Sequence, residues 1–150
     1  MDIISSLMRE VFGVQLDNKF YDDIIEYIQE QFHEIFKEKV IFVMKQVNVE
    51  HMGCFEIKYK YIPLHYDLAF ENDRNKFVID IFDEEGAKTT LYRIEKFNNV
   101  LSVENIRDAL FKLQEVLGKN NMCFYINRNK ILYKKIAGEY QRVKNLNELR

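Results

Sequence analysis

The chain has no tryptophan, one proline, five glycines, two cysteines and three histidines in 150 residues. Each shortage excludes something. Gly13, Gly53, Gly86, Gly118 and Gly138 are scattered at expected turns and helix ends, so no glycine-rich loop exists to cradle a phosphate. Only Ser5, Ser6 and Ser102 could serve as a serine nucleophile, and each falls in or at an expected helix rather than in a nucleophile turn. His33-Glu34 lacks the second histidine of a zincin helix. Cys54 and Cys123 lie singly in apolar runs, without the Cys-x-x-Cys spacing of a zinc or redox site. They read as reduced, buried thiols in a cytosolic setting, although spacing leaves a Cys54–Cys123 disulfide open. No apolar run approaches the roughly 18 residues of a membrane span, so no membrane partner is expected. The segment MDIISSLMREVFG lacks the basic start and long apolar centre of a signal peptide, which again points to the cytoplasm.

What is present is apolar residues and charge. Twelve Phe and nine Tyr supply material for a sizeable core, and the length fits a single domain, 1–150. Net charge is −2, so the whole molecule has no field that demands nucleic acid. The charge is uneven. Residues 1–50 carry 10 acidic and 5 basic side chains, and residues 101–150 carry 5 and 10. The acidic first third and the basic last third either attract each other across the fold or serve different partners.

The most informative feature is a row of carboxylates at four-residue spacing: Asp22, Glu26, Glu30, Glu34 and Glu38. Between them runs an apolar set, Phe20, Ile24, Tyr27, Ile28, Phe32, Ile35 and Phe36, so the segment is an amphipathic helix with an acidic water face. Each like-charge step costs about 0.2–0.5 kcal/mol. The row drifts by about 40° per step, because 3.6 residues make a turn. A solvated face relieved by Lys37–Glu34 and Lys19–Asp23 pairs explains the row blandly; a surface for a basic protein partner explains it functionally.

Periodicity places a short helix over 3–12 and a long one from Asn18 to Lys37, with Asp17 as N-cap and Asp22 and Asp23 favourably near the positive end of the dipole. Strands are expected at Val40–Val49, at Phe55–Tyr61 before Pro63, and at Leu64–Phe70, followed by a polar loop over Glu71–Asn75. Phe77–Phe82 and Thr89–Phe97 read as a hairpin around Asp83–Gly86. Ser102 caps a third helix whose stripe is Val103, Ile106, Leu110, Leu113 and Leu117, with Gly118 as its stop. Met122–Ile126, Ile131–Ile136 and Glu139–Val143 close the chain as strands, joined by turns at Asn127–Lys130 and Ala137–Gly138. Short turns between neighbouring strands imply an α+β fold with a mainly antiparallel sheet of five or more strands.

Other constellations are weaker. His65 and Asp67 share a face if both lie on one strand, but a metal needs a third ligand. His65 near Glu71 or Asp73 makes a poorer general base. Asp80, Asp83, Glu84 and Glu85 lack EF-hand oxygen spacing and read as a solvated hairpin tip. The basic run from Asn127 to Lys144 interleaves Phe124, Tyr125, Tyr133 and Tyr140, a mixture that nucleic-acid proteins use, but any half-buried strand looks the same. No catalytic residue, cofactor or metal is expected.

The helix that feeds directly into a hairpin over Phe20–Tyr61, and the helix followed by asparagine-rich hairpins over Leu113–Val143, together resemble the small immunity proteins of bacterial polymorphic toxin systems. The resemblance is architectural and spans most of the chain. It implies an α+β protein that binds and blocks a cognate toxin, often a basic nuclease met by an acidic surface. Many such proteins carry Trp in these elements and this chain has none, so no functional residue is carried over. A prophage-encoded inhibitor of a host defence would show the same features. An enzyme with a concealed site, and a structural, regulatory or RNA-binding module, are the expectations from other classes.

Overall fold

The computed structural model describes residues 14–136 and 138–145. The short helix expected over 3–12 lies outside them. Helix α1 spans Val14–Phe36. It starts earlier than the sequence suggests, so Asp17 lies within the helix rather than capping it. Asp22 and Asp23 are then too far along to gain from the dipole, which acts within the first turn. Ile24, Ile28, Phe32 and Phe36 repeat every four residues and are buried. This row is offset by two residues from the acidic one, about 200° around the helix, so the two occupy opposite faces. Phe32 stacks on Tyr59 at 4.2 Å between ring centroids, and Phe36 meets Tyr61 edge-on. Phe20, expected on the apolar face, is instead exposed.

A 3-10 turn at Lys37–Lys39 leads into an antiparallel sheet of eight strands whose spatial order is their chain order. The strands are β1 (Val40–Asn48), β2 (Cys54–Tyr61), β3 (Tyr66–Asp73), β4 (Lys76–Phe82), β5 (Lys88–Thr90), β6 (Phe124–Arg128), β7 (Ile131–Ile136) and β8 (Glu139–Arg142). The α+β expectation holds, with the sheet larger than its lower bound. Alternation sorts the faces. Phe55, Ile57, Tyr59 and Tyr61 of β2, Leu68 and Phe70 of β3, and Phe77, Ile79 and Ile81 of β4 join the buried cluster with the helices. Glu56, Lys58, Glu71, Val78 and Lys88 lie on the other, open face, as the cross-strand register requires.

Two expected boundaries are corrected here. Glu71 is a strand residue, not a loop residue, because the β3–β4 turn is only Arg74-Asn75, both with positive φ. The Thr89–Phe97 strand stops at Thr90, and helix α2 (Leu91–Ile94) follows. Leu91, fully buried, anchors the departure of the chain from the sheet.

Helix α3 spans Val103–Lys119. The Ser102 hydroxyl accepts a hydrogen bond from the Asn105 N–H at 3.2 Å, the N-cap expected from sequence. Ile106, Leu110, Leu113 and Leu117 are buried, joined by Ala109 and Val116, while Val103 is exposed. Gly118 lies inside the helix, and Asn120 in the left-handed conformation closes it instead. Of the last three strands, Ile131–Ile136 is as expected, while β6 begins at Phe124 and runs to Arg128, leaving a two-residue turn at Asn129-Lys130, and β8 ends at Arg142.

Candidate functional site

All five carboxylates of the row are exposed: Asp22, Glu26, Glu30 and Glu34 on α1, and Glu38 in the 3-10 turn. Neither Lys37–Glu34 nor Lys19–Asp23 forms an ion pair among the described residues. Glu34 accepts one long hydrogen bond from the Gln31 amide at 3.4 Å. The drift expected from helical geometry divides the row. Asp22 and Glu26 line a hollow of about 260 Å³ with Ile25, Gln29, Lys45 and Val47, on the β1 flank of the helix. Glu34 lines another, of about 310 Å³, with Arg107 and Phe111 on the α3 flank. The row is therefore two half-sites on opposite flanks.

The flank of Asp22 and Glu26 adjoins the edge of the sheet. Among the described residues β1 is bonded to β2 alone. Its run Val40-Ile41-Phe42-Val43-Met44 is continuously apolar, a pattern common in strands covered on both faces. In the fold it is an edge, and Ile41 and Val43 are each 55% exposed, with Phe42 and Val47 also open. A register shift between Phe42 and Met44 bulges the strand at Val43. Proteins commonly shield such edges with charge and bulges. Among the described residues the shielding amounts to that bulge and Lys45.

A second arrangement, not foreseen from sequence, occupies the open face. Glu56 and Glu71 are direct cross-strand partners and share a hydrogen bond, which requires a proton between two carboxyls. That bond, with burial second, pushes Glu71 up to about 7. The same bond holds Glu56 below its ordinary value, helped by Lys58 at 3.4 Å. The pair lines a groove of about 580 Å³ with Gln46, Asn48, Cys54 and Asp73. The Cys54 thiol donates to Asp73 Oδ1 at 3.6 Å and is raised by burial and by that carboxylate, so the thiolate is disfavoured and the group is a poor nucleophile. Sequence concealed the groove because Glu71 read as a loop residue.

The acidic tip and the basic C-terminal run turn out to be partners. Lys135 Nζ lies 2.9 Å from both Asp83 Oδ2 and Glu85 Oε1. Arg128 and Tyr140 also reach Glu85. Asp83 is buried and accepts the N–H groups of Glu85 and Ala87 at 2.9 Å. The tip is thus half of an ion-pair cluster, with Asp83 buried and Glu85 joining it from the surface, while Glu84 is exposed 3.9 Å from His65. Asp80 is satisfied by Thr90 at 2.8 Å and Lys88 at 3.7 Å. His65 caps the 3-10 turn Ile62–Leu64 and does not share a strand with Asp67, which lies 3.7 Å from Lys60. Cys54 and Cys123 are free thiols, half-buried rather than buried. Among the described residues no helix is long and apolar enough to cross a membrane. No family model, no curated protein and no solved structure matches the chain.

Proposed function

We propose that the chain is a non-enzymatic binding protein of the immunity type, which neutralises a basic toxin domain by covering part of it. One observation carries the reading: Asp22 and Glu26 stand exposed, without an ion pair among the described residues, around a hollow they share with Val47 of β1, the strand that also exposes Ile41, Phe42 and Val43. An apolar patch rimmed by one sign of charge fits a protein partner of the other sign. Glu30 and Glu38, exposed on the outer side, add long-range attraction. Two cations of the basic run, Lys135 and Arg128, are by contrast paired with Asp83 and Glu85, which weighs against a nucleic-acid ligand.

The test is co-expression with the protein encoded by the adjoining gene. The reading expects toxicity to be suppressed, a stoichiometric complex to form, and Glu26→Lys with Glu30→Lys to weaken it. A neighbour whose activity is unaffected by excess purified protein contradicts it.

A second reading, an acid–base site on the open face, is favoured by the Glu56–Glu71 pair, whose two carboxyls are pushed in opposite directions. It ranks lower because the one thiol in the groove is held protonated and no histidine lines it. If Glu71→Gln abolishes an activity of the purified protein without unfolding it, this second reading replaces the first.

A further inference from the structure

The outer side of β1 has the form of an unfilled place in the sheet. β1 runs for nine residues, whereas the opposite edge, β8, has four. Between Met44 and Asn48 its register with β2 is unbroken, Met44 opposite Lys58 through Asn48 opposite Cys54, so this stretch presents regular backbone N–H and C=O groups outward. The same stretch borders the hollow below α1. Lys45 and Val47 form its floor, Ile25 its wall, and Asp22 and Glu26 its rim.

A strand laid along β1 places every second side chain beside Lys45 and Val47, on the helix side. Two carboxylates against the one ammonium of Lys45 leave the hollow net acidic, so the side chain that fits has an aliphatic stem for Ile25 and Val47 and a cationic head for Asp22 and Glu26, which describes Lys or Arg. A second copy of this chain fits badly. Two-fold pairing of β1 with β1 sets both α1 helices on the same side of the joined sheet and brings Asp22 and Glu26 of each copy toward the other's with only Lys45 between them, two carboxylates against one cation in each copy. Charge complementarity therefore selects a basic segment over self-association.

We propose that Met44–Asn48 of β1 accepts an extended, Lys- or Arg-bearing segment of the partner as an added strand, with alternate basic side chains entering the hollow edged by Asp22 and Glu26. This rests on the binding function above and adds its mode: main-chain pairing supplies affinity, and the acidic hollow supplies selection.

The test uses the full chain and synthetic peptides of about ten residues. One alternates Lys with Val, one alternates Glu with Val, and one repeats the Lys–Val sequence with alternate backbone amides methylated. The Lys–Val peptide is expected to slow amide exchange at Met44–Asn48 by about ten-fold or more. The Glu–Val and methylated peptides should bind at least about ten-fold more weakly, as should Lys–Val on Asp22→Lys/Glu26→Lys protein. Equal binding of the methylated peptide, or binding that leaves Met44–Asn48 exchange unchanged, overturns strand addition. Slow exchange in the free chain of those amides of this stretch that point away from β2 also overturns it: if released by removing residues 2–13, the occupant is the chain's own N-terminal segment, and if it grows with concentration alongside a dimer mass, the occupant is a second copy. A cognate toxin that is bound and inhibited while these amides exchange freely leaves the binding function standing and refutes only the mode.

Discussion

Lys135 Nζ and Asp83 Oδ2 lie 2.9 Å apart, and this contact joins the last three strands to the rest of the sheet. β5 and β6 meet only at Lys88 opposite Tyr125, so the ladder itself is thinnest there. The side chains of the pair are 18% and 8% exposed, so their charges are mostly withdrawn from water.

Replacing Lys135 with Met should cost about 1.5–3 kcal/mol, the range for hydrogen bonds to charged groups. The loss should be local first, with amide exchange rising in β6–β8 before β2–β4. The carboxylate of Asp83, then that of Glu85, raises the Lys135 pKa. The stabilisation is therefore complete below the ordinary lysine value of 10.5 and fades as pH climbs beyond it. Denaturant melts of both proteins at neutral pH, with exchange mapped by residue, check this.

The Glu56–Glu71 pair gives stability a slope in the opposite part of the scale. Glu71 is raised in the folded state from 4.5 to about 7, so the native protein binds more protons than the unfolded chain between those values. Stability should fall as pH rises through that window and level off above it. Glu56 is lowered, so its contribution is present above its ordinary value and is lost as pH falls below it. Glu71→Gln keeps a hydrogen-bonding partner for Glu56 without a second charge. It should melt higher than the parent at pH 8 and approach it at pH 5. Thermal melts at the two pH values, with the parent in parallel, decide this; an unchanged difference contradicts the shared proton.

Leu110 is fully buried in the α3 stripe and Val103 is 49% exposed at its start. Leu110→Ala should cost about 2–5 kcal/mol, and Val103→Ala within about 0.5 kcal/mol, as for an ordinary surface change. Urea unfolding of both variants separates the face that packs on the sheet from the face that does not.

The long helices and the alternating strands are legible because their patterns are set by burial on one face: Ile24, Ile28, Phe32 and Phe36 in α1, and Phe55, Ile57, Tyr59 and Tyr61 in β2. Boundaries set by backbone conformation are not. Arg74 and Asn75 make a positive-φ turn without glycine, so Glu71 is hidden within a strand that reads as loop. Asn120 ends α3 although Gly118 is the stronger sequence signal. Strand order is harder still. Nothing in Val40–Met44 distinguishes an edge from a covered strand, so the apolar half of the candidate docking surface comes from topology alone. The acidic half is visible in sequence residue by residue, but its division between two flanks depends on where the β1 edge and α3 lie about the helix.

The central claim is that this acidic row attracts a basic partner, and the association rate with the protein encoded by the adjoining gene, measured across salt concentrations, tests it most directly. Glu26→Lys/Glu30→Lys should slow association at low salt by about ten-fold or more and flatten its salt dependence. The same protein, free, should melt as high as the parent or slightly higher, because like-charge repulsion along α1 is relieved. If association at low salt is unchanged while the variant stays folded, the row is a solvated helix face and the binding account fails.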